Sequence, residues 1–211
     1  MSADFQPPRL YAIADFSSFA AAPDPRTAIL NFIEELFAAG VRCLQLRDKQ
    51  SSSREVLSLA REIKRKNSGR ARLIMNDRAD LSLAAGFDGV HLGQDDLSPA
   101  AARRILGDQK IIGLSTHNFD QLRAAASEPV DYFAFGPIFA TQSKTNPEPT
   151  VGLPQLVQAC KLAAKPIVAI GGITSAHCAS VIKAGAASVA VISGLLPHPQ
   201  KRIEEFFRNL G

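Results

Sequence analysis

Cysteine is scarce in this 211-residue chain, and the three present, Cys43, Cys160 and Cys178, are odd in number and without CxxC spacing. That leaves no disulfide framework, and a chain this long needs neither disulfides nor a structural metal to fold. The three read as small buried hydrophobes in a reducing compartment. Long apolar runs are also missing. The longest stretch without charge or histidine, Ala184 to Pro197, has 14 residues and includes Ser188, Ser193 and Gly194, short of the ~18 apolar residues that suggest a membrane span. Met1 to Pro8 has neither a basic n-region nor an apolar h-region, so no signal peptide is expected. Charge of one sign is not in excess: 24 Lys and Arg against 20 Asp and Glu give +4, too mild and scattered for a nucleic-acid footprint but suited to a pocket for small anions. With 46% hydrophobic and 21% charged residues, the composition excludes a disordered tail or a fibrous repeat. The expectation is a soluble cytoplasmic protein of one domain spanning 1–211, acting on small molecules, with no nucleic-acid or membrane partner.

What is present is a rhythm. Short, nearly all-apolar runs at 9–15, 41–47, 72–76, 89–93, 110–114, 132–138, 166–170 and 188–192 read as strands covered on both faces. Between them lie amphipathic helical patterns at 27–39, 53–66, 81–85, 98–106, 120–127, 153–163, 175–184 and 200–209. Strictly alternating strand and helix implies a parallel sheet with right-handed crossovers. Eight units in about 200 residues predict a single (β/α)8 TIM barrel, an α/β fold. The alternative, a doubly wound open sheet, usually carries G-x-G-x-x-G after its first strand, and the run after Asp15 has none.

In a barrel the chemistry collects where the βα loops open, at the C-terminal ends of the strands. Strand 2 runs out through Gln45-Leu-Arg-Asp-Lys49, and alternation sends Gln45, Arg47 and Lys49 the same way. Two cations on one rim suit a phosphate or diphosphate; the competing role is a solvated salt bridge to Asp48 or Asp77. Strands 3 and 4 end in Asn76-Asp77 and Gly93-Gln-Asp-Asp96. Their carboxylates suit Mg²⁺, or else Asp77, Asp95 and Asp96 cap helices and Asp77 pairs with Arg78. Strand 5 closes with Ser115-Thr-His117, a catalytic pair or hydroxyls bonded to nearby backbone. His91 reads as an interior hydrogen-bonding group. The long 139–152 segment resembles a lid and gathers Thr141, Ser143 and Lys144, although Pro147 and Pro149 also suit a surface loop. Gly171-Gly172 and Ile192-Ser193-Gly194 follow strands 7 and 8, a frequent phosphate seat in barrels or simply two tight turns. Two anion-binding regions plus metal ligands predict transfer between a diphosphate and a monophosphate substrate.

Gln45 to Lys49, Asn76-Asp77-Arg78, Gly89 to Asp96, Gly113 to His117, Gly136 to Phe139, Ala169 to Ile173 and Ala190 to Ser193 stand in the order and near the spacing of one family. From about Leu10 to Ser193 the sequence resembles thiamine phosphate synthase. The resemblance implies a Mg²⁺-dependent transferase. It joins hydroxymethylpyrimidine diphosphate to hydroxyethylthiazole phosphate by dissociative substitution, giving thiamine monophosphate and diphosphate. Carried across, Gln45, Arg47, Lys49 and Asn76 would hold the pyrimidine diphosphate, and Asp77 and Asp96, not Asp95, the metal. Ser115 would contact the pyrimidine and Lys144 the diphosphate. Thr141, Ser143, Gly172, Ile192 and Ser193 would take the thiazole phosphate. Of these, Arg47, Lys49, Ser115 and Lys144 would act in the chemical step. The chain departs from the pattern at Ser143, where the family often has Thr, at the residues following Lys144, and at Ala14-Asp15, where it commonly has Thr-Asp. A related thiazole tautomerase using His117, and a non-catalytic thiazole-phosphate-binding barrel, are the alternatives. The sequence leaves oligomeric state open, a homodimer among the options.

Overall fold

The computed structural model describes residues 5–141 and 149–211. Eight strands, β1 Leu10–Asp15, β2 Cys43–Arg47, β3 Arg72–Asn76, β4 Gly89–Leu92, β5 Ile111–Thr116, β6 Tyr132–Phe135, β7 Ile167–Ile170 and β8 Ser188–Val191, close in sequence order into a barrel. Every adjacent pair is parallel, including β1 with β8. Helices α1 Pro25–Ala38, α2 Ser53–Asn67, α3 Ala79–Ala85, α4 Pro99–Leu106, α5 Phe119–Ala124, α6 Gly152–Leu162, α7 Ser175–Lys183 and α8 Pro199–Leu210 follow the strands one by one. The expected (β/α)8 TIM barrel is the observed fold.

Local chemistry fixes the helix starts. Ser52 and Glu55 form a reciprocal capping box on α2. Asp24 and Ser98 cap α1 and α4, each followed by a proline whose missing N–H costs nothing there. The core has two layers, as the alternation of the strands requires. Leu44, Leu46, Leu73, Met75, Val90 and Leu92 face outward onto the helices. Tyr11, Ile13, Cys43, Ile74, Ile111, Tyr132, Val168 and Ala190 fill the barrel itself. Cys43 and Cys178 are buried as expected, while Cys160 is only half-buried. No helix among the described residues is long and apolar enough to cross a membrane.

Most boundaries differ from expectation by one or two residues; two differences bear on the site. β5 runs past the expected end at Leu114: pairing with β6 continues through Ser115↔Ala134 and Thr116↔Phe135, and the Thr116 hydroxyl donates to Ala134 O at 3.0 Å. Ser115 is therefore an inward-facing strand residue. β6 ends at Phe135 and not Ile138, because Pro137 has no N–H to continue the ladder; Ile138 N resumes contact with β7 by donating to Ile170 O at 2.9 Å.

Candidate active site

Strand β2 delivers Gln45 and Arg47 to the barrel interior and Lys49 to its rim. Gln45 is buried and donates through Nε2 to the Tyr11 hydroxyl at 2.9 Å. The Arg47 guanidinium pairs with Asp15, a register neighbour at the end of β1 whose side chain is 3% exposed. The other Asp15 oxygen accepts from the Ser17 amide and hydroxyl, at 3.1 and 2.8 Å. Asp15 is thus held from behind and holds Arg47 in turn, a role that the sequence alone does not reveal. Arg47 keeps 17% exposure toward the mouth.

Asp77 follows β3 with φ at 61°, a left-handed conformation that Asp adopts more readily than most residues and that often marks a functional turn. Its amide donates to His91 O at 2.8 Å, tying the turn to β4. Lys49 Nζ lies 3.0 Å from Asp77 Oδ2. Of the expected alternatives, then, the Lys49–Asp77 ion pair is realised, whereas Arg78 turns to Asp80 at 2.6 Å. None of the three aspartates caps a helix: the α3 N-cap is Arg78 and the α4 N-cap is Ser98. Asp96 folds back so that its Oδ2 accepts from Gly93 N at 2.7 Å, and its carboxyl lies close enough to that of Asp77 for the two to interact. A Cβ at residue 93 would lie 2.9 Å from that oxygen, so glycine leaves room for it. Burial, and then the contact with Asp96, push the Asp77 carboxyl above its ordinary pKa against the pull of Lys49.

Two neighbouring carboxyls, one resisting ionisation, form a site short of positive charge. Among the described residues no group of three or more His, Cys, Asp or Glu gathers to make a closed metal cage. A two-carboxylate rim that relies on water and substrate oxygens for its other ligands fits Mg²⁺.

Ser115 Oγ lies 2.9 Å from His91 Nε2, and the other ring nitrogen lies 2.9 Å from Tyr132 OH. His91 is buried and hydrogen-bonded in the interior, as expected. His117 Nδ1 lies 2.6 Å from Gly136 O, so this nitrogen donates to backbone, and Asn118 caps α5. Asn76, half-buried at the end of β3, sits in register beside His91.

On the far side of the mouth Gly171 and Gly172 have φ of 99° and 61°. Both are also crowded by the segment after β6: a Cβ on Gly171 would collide with Pro137, and one on Gly172 with Ala140 O. The glycines are therefore required by protein packing whether or not a phosphate approaches them. The same packing brings the β6 loop, as far as Ala140, against the β7 loop; Thr141 is the next residue in the chain. Ile192 packs against the barrel interior and Ser193 opens a 3-10 turn, Ser193–Leu195, whose first amides have no earlier carbonyl within the turn to bond. Ser143 and Lys144 lie outside the described residues.

Residues 10–195 match the thiamine monophosphate synthase family. A thiamine-phosphate synthase of Koribacter versatilis (strain Ellin345) is 54% identical over 211 residues, covering 100% of this chain and 99% of that protein. One from Anaeromyxobacter dehalogenans (strain 2CP-C) is 45% identical over 157 residues, covering 74% of this chain and 71% of its own. The solved structure of thiamine phosphate pyrophosphorylase from Pyrococcus furiosus superposes with a TM-score of 0.81 at 26% identity, over 96% of this chain and 95% of that one. The match runs from the first residue of β1 to the turn after β8, and the chain belongs to the thiamine monophosphate synthase family.

Proposed function

We propose that this chain is a thiamine phosphate synthase that joins 4-amino-2-methyl-5-(diphosphooxymethyl)pyrimidine to 4-methyl-5-(2-phosphooxyethyl)thiazole. The observation that carries the proposal is Lys49 paired with Asp77, with the carboxyl of Asp96 nearby, within one strand of a pinned Arg47. That cluster suits a leaving diphosphate. Asp77 and Asp96 would hold Mg²⁺, which when bound would supply positive charge to the diphosphate oxygens.

The pyrimidine lies against Gln45, Asn76 and Ser115. Its methylene C–O bond breaks, the electron pair leaves with the diphosphate, and the thiazole nitrogen then forms the new C–N bond. Arg47 meets the departing oxygens as a planar fork and Lys49 as a point charge; both are useful only to the extent that they are already in place. Thr141, Ser143, Gly172, Ile192 and Ser193 hold the thiazole phosphate so that its nitrogen faces the methylene carbon. The step needs no protein nucleophile. The tautomerase alternative has no use for the Asp77–Asp96 pair.

Lys144 belongs to the leaving group in this scheme, and its contact strengthens as charge develops. Lys144→Ala is therefore expected to lower kcat by about 10-fold or more with little change in KM; a change in KM alone contradicts the role. The function itself is tested by complementation. A thiamine-auxotrophic bacterium lacking its own synthase is expected to grow without thiamine when it expresses this chain, and not when it expresses the Asp77→Ala form. Failure of the wild-type chain to support growth, with soluble protein present, overturns the proposal.

A further inference from the structure

Four hydrogen bonds, each 2.9 Å long, cross the barrel interior in one line: Gln45 Nε2 to Tyr11 OH, Tyr11 OH to Tyr132 OH, Tyr132 OH to His91 Nδ1, and His91 Nε2 to Ser115 Oγ. Tyr11 and Tyr132 are fully buried. Burial pushes both phenols well above their ordinary pKa, so both keep their protons. The ring of Tyr132 can lie across the barrel only because residue 113 is glycine; a Cβ there would collide with its Cζ. The two ends of the line, Gln45 and Ser115, are the residues that the proposed function places against the pyrimidine, and the role of the line rests on that placement.

Such a line has a direction. The Gln45 amide donates inward to Tyr11, so Tyr11 gives its proton to Tyr132 and Tyr132 gives its own to His91 Nδ1. The neutral imidazole then carries its hydrogen on Nε2 and donates to Ser115 Oγ. Ser115 is left with its own proton pointing away from the line, as a donor. Gln45 is left with its carbonyl oxygen, which has no other partner among the described residues. Since no buried side-chain nitrogen or oxygen among them is unsatisfied, that oxygen reaches solvent. Reversing the amide reverses every proton in the line, which makes Gln45 a donor and Ser115 an acceptor. With a neutral imidazole the two phenols and His91 hold three hydrogens for the four links, so an arrangement in which both ends donate leaves one link without a hydrogen.

We propose that Tyr11, Tyr132 and His91 are positioning residues that couple Gln45 to Ser115, so that the pocket floor offers one acceptor and one donor together and never two donors. An aminopyrimidine matches that pair when its 4-amino group donates to Gln45 and N1, across the ring, accepts from Ser115. The 4-oxo analogue, whose ring hydrogen sits on N3, presents acceptors at both places and needs a donor at both ends, which the line forbids. The interior of the barrel is thereby a specificity filter for an amino over an oxo substituent.

Nitrogen-15 NMR on the whole protein, labelled at histidine, reads the His91 tautomer without substrate. The Nε2–H form is expected in the wild type, and a mixture or a shift toward Nδ1–H in Tyr132→Phe. Steady-state kinetics with the amino substrate and its 4-oxo analogue form the second readout. Tyr132→Phe is expected to lower the amino-over-oxo ratio of kcat/KM by about tenfold, the cost of one unmade buried hydrogen bond, while the KM for the thiazole phosphate is unchanged. Tyr11→Phe, which cuts the line one bond earlier, is expected to lower the same ratio, so the test survives if one variant folds poorly. A wild-type Nδ1–H tautomer overturns the direction assigned to the line; a doubly protonated His91 in the wild type, or an unchanged ratio in both folded variants, overturns the coupling. Absence of any turnover by the wild type overturns the functional assignment and the filter with it; the two failures are told apart because the tautomer measurement needs no reaction.

Discussion

Asp77→Ala is expected to lower kcat by about 10²- to 10³-fold, the usual worth of a group that stabilises developing charge in a preorganised site. The residue lies at the strained turn after β3, with Lys49 at 3.0 Å on one side and Asp96 on the other. Removing its carboxylate takes away half of the proposed metal seat and the partner that orients Lys49. Stability is expected to move the other way. Burial raises the folded-state pKa of Asp77 above that of the unfolded chain, so the native state holds this proton to higher pH. Its contribution to stability is complete below the ordinary aspartate range and is lost as pH rises through the raised value. In metal-free protein at neutral pH, Asp77→Asn is therefore expected to melt at or above the wild-type temperature while remaining inactive. Wild-type turnover in either variant removes the metal assignment, and a strongly destabilised Asp77→Asn removes the electrostatic account of the turn.

Arg47 yields the second large effect. Its guanidinium is fixed by the nearly fully buried Asp15, which Ser17 holds in place. Arg47→Lys keeps the charge but loses the planar fork and its registration on Asp15, and is expected to lower kcat/KM for the pyrimidine diphosphate by about 10- to 100-fold. Arg47→Ala leaves the Asp15 carboxylate buried without its cation, a change that costs about 3–5 kcal/mol where such pairs have been broken; a urea melt reads it directly. Asp15→Asn is expected to reproduce the kinetic loss of Arg47→Lys, because the arginine remains but is no longer held. A lysine variant with wild-type kcat/KM contradicts the fork, and an alanine variant of wild-type stability contradicts the pin.

The barrel was legible because its strands are short and apolar on both faces and its helices carry separate stripes, so the period of the sequence alone distinguishes them. The rim was legible for a different reason: Arg47, Lys49, Asp77 and Asp96 are charged residues at strand ends, where packing has no use for them. What escaped is what alternation cannot encode. Tyr11 and Tyr132 look like ordinary strand residues, and nothing local says that two hydroxyls 121 residues apart will meet at 2.9 Å. Asp15 had no visible consequence until the β1–β2 register set it opposite Arg47. Ser115-Thr-His117 reads as loop chemistry in the sequence, while pairing with β6 holds Ser115 and Thr116 in the sheet. The glycine pair after β7 suits both a phosphate seat and a tight turn by sequence, yet the neighbouring loop already demands it. Where a side chain's partner comes from another strand, the residue type was informative and the partner was not.

The central claim is that the mouth of this barrel transfers a pyrimidine from diphosphate to a thiazole with the help of Mg²⁺ held by Asp77 and Asp96. Its most direct test is a stoichiometric assay on purified protein with both substrates, following thiamine monophosphate and diphosphate together, with EDTA and then excess MgCl₂ added in sequence. Equal amounts of the two products, abolished by EDTA and restored by Mg²⁺, are predicted. Full activity in EDTA, or diphosphate released without thiamine monophosphate, would contradict it.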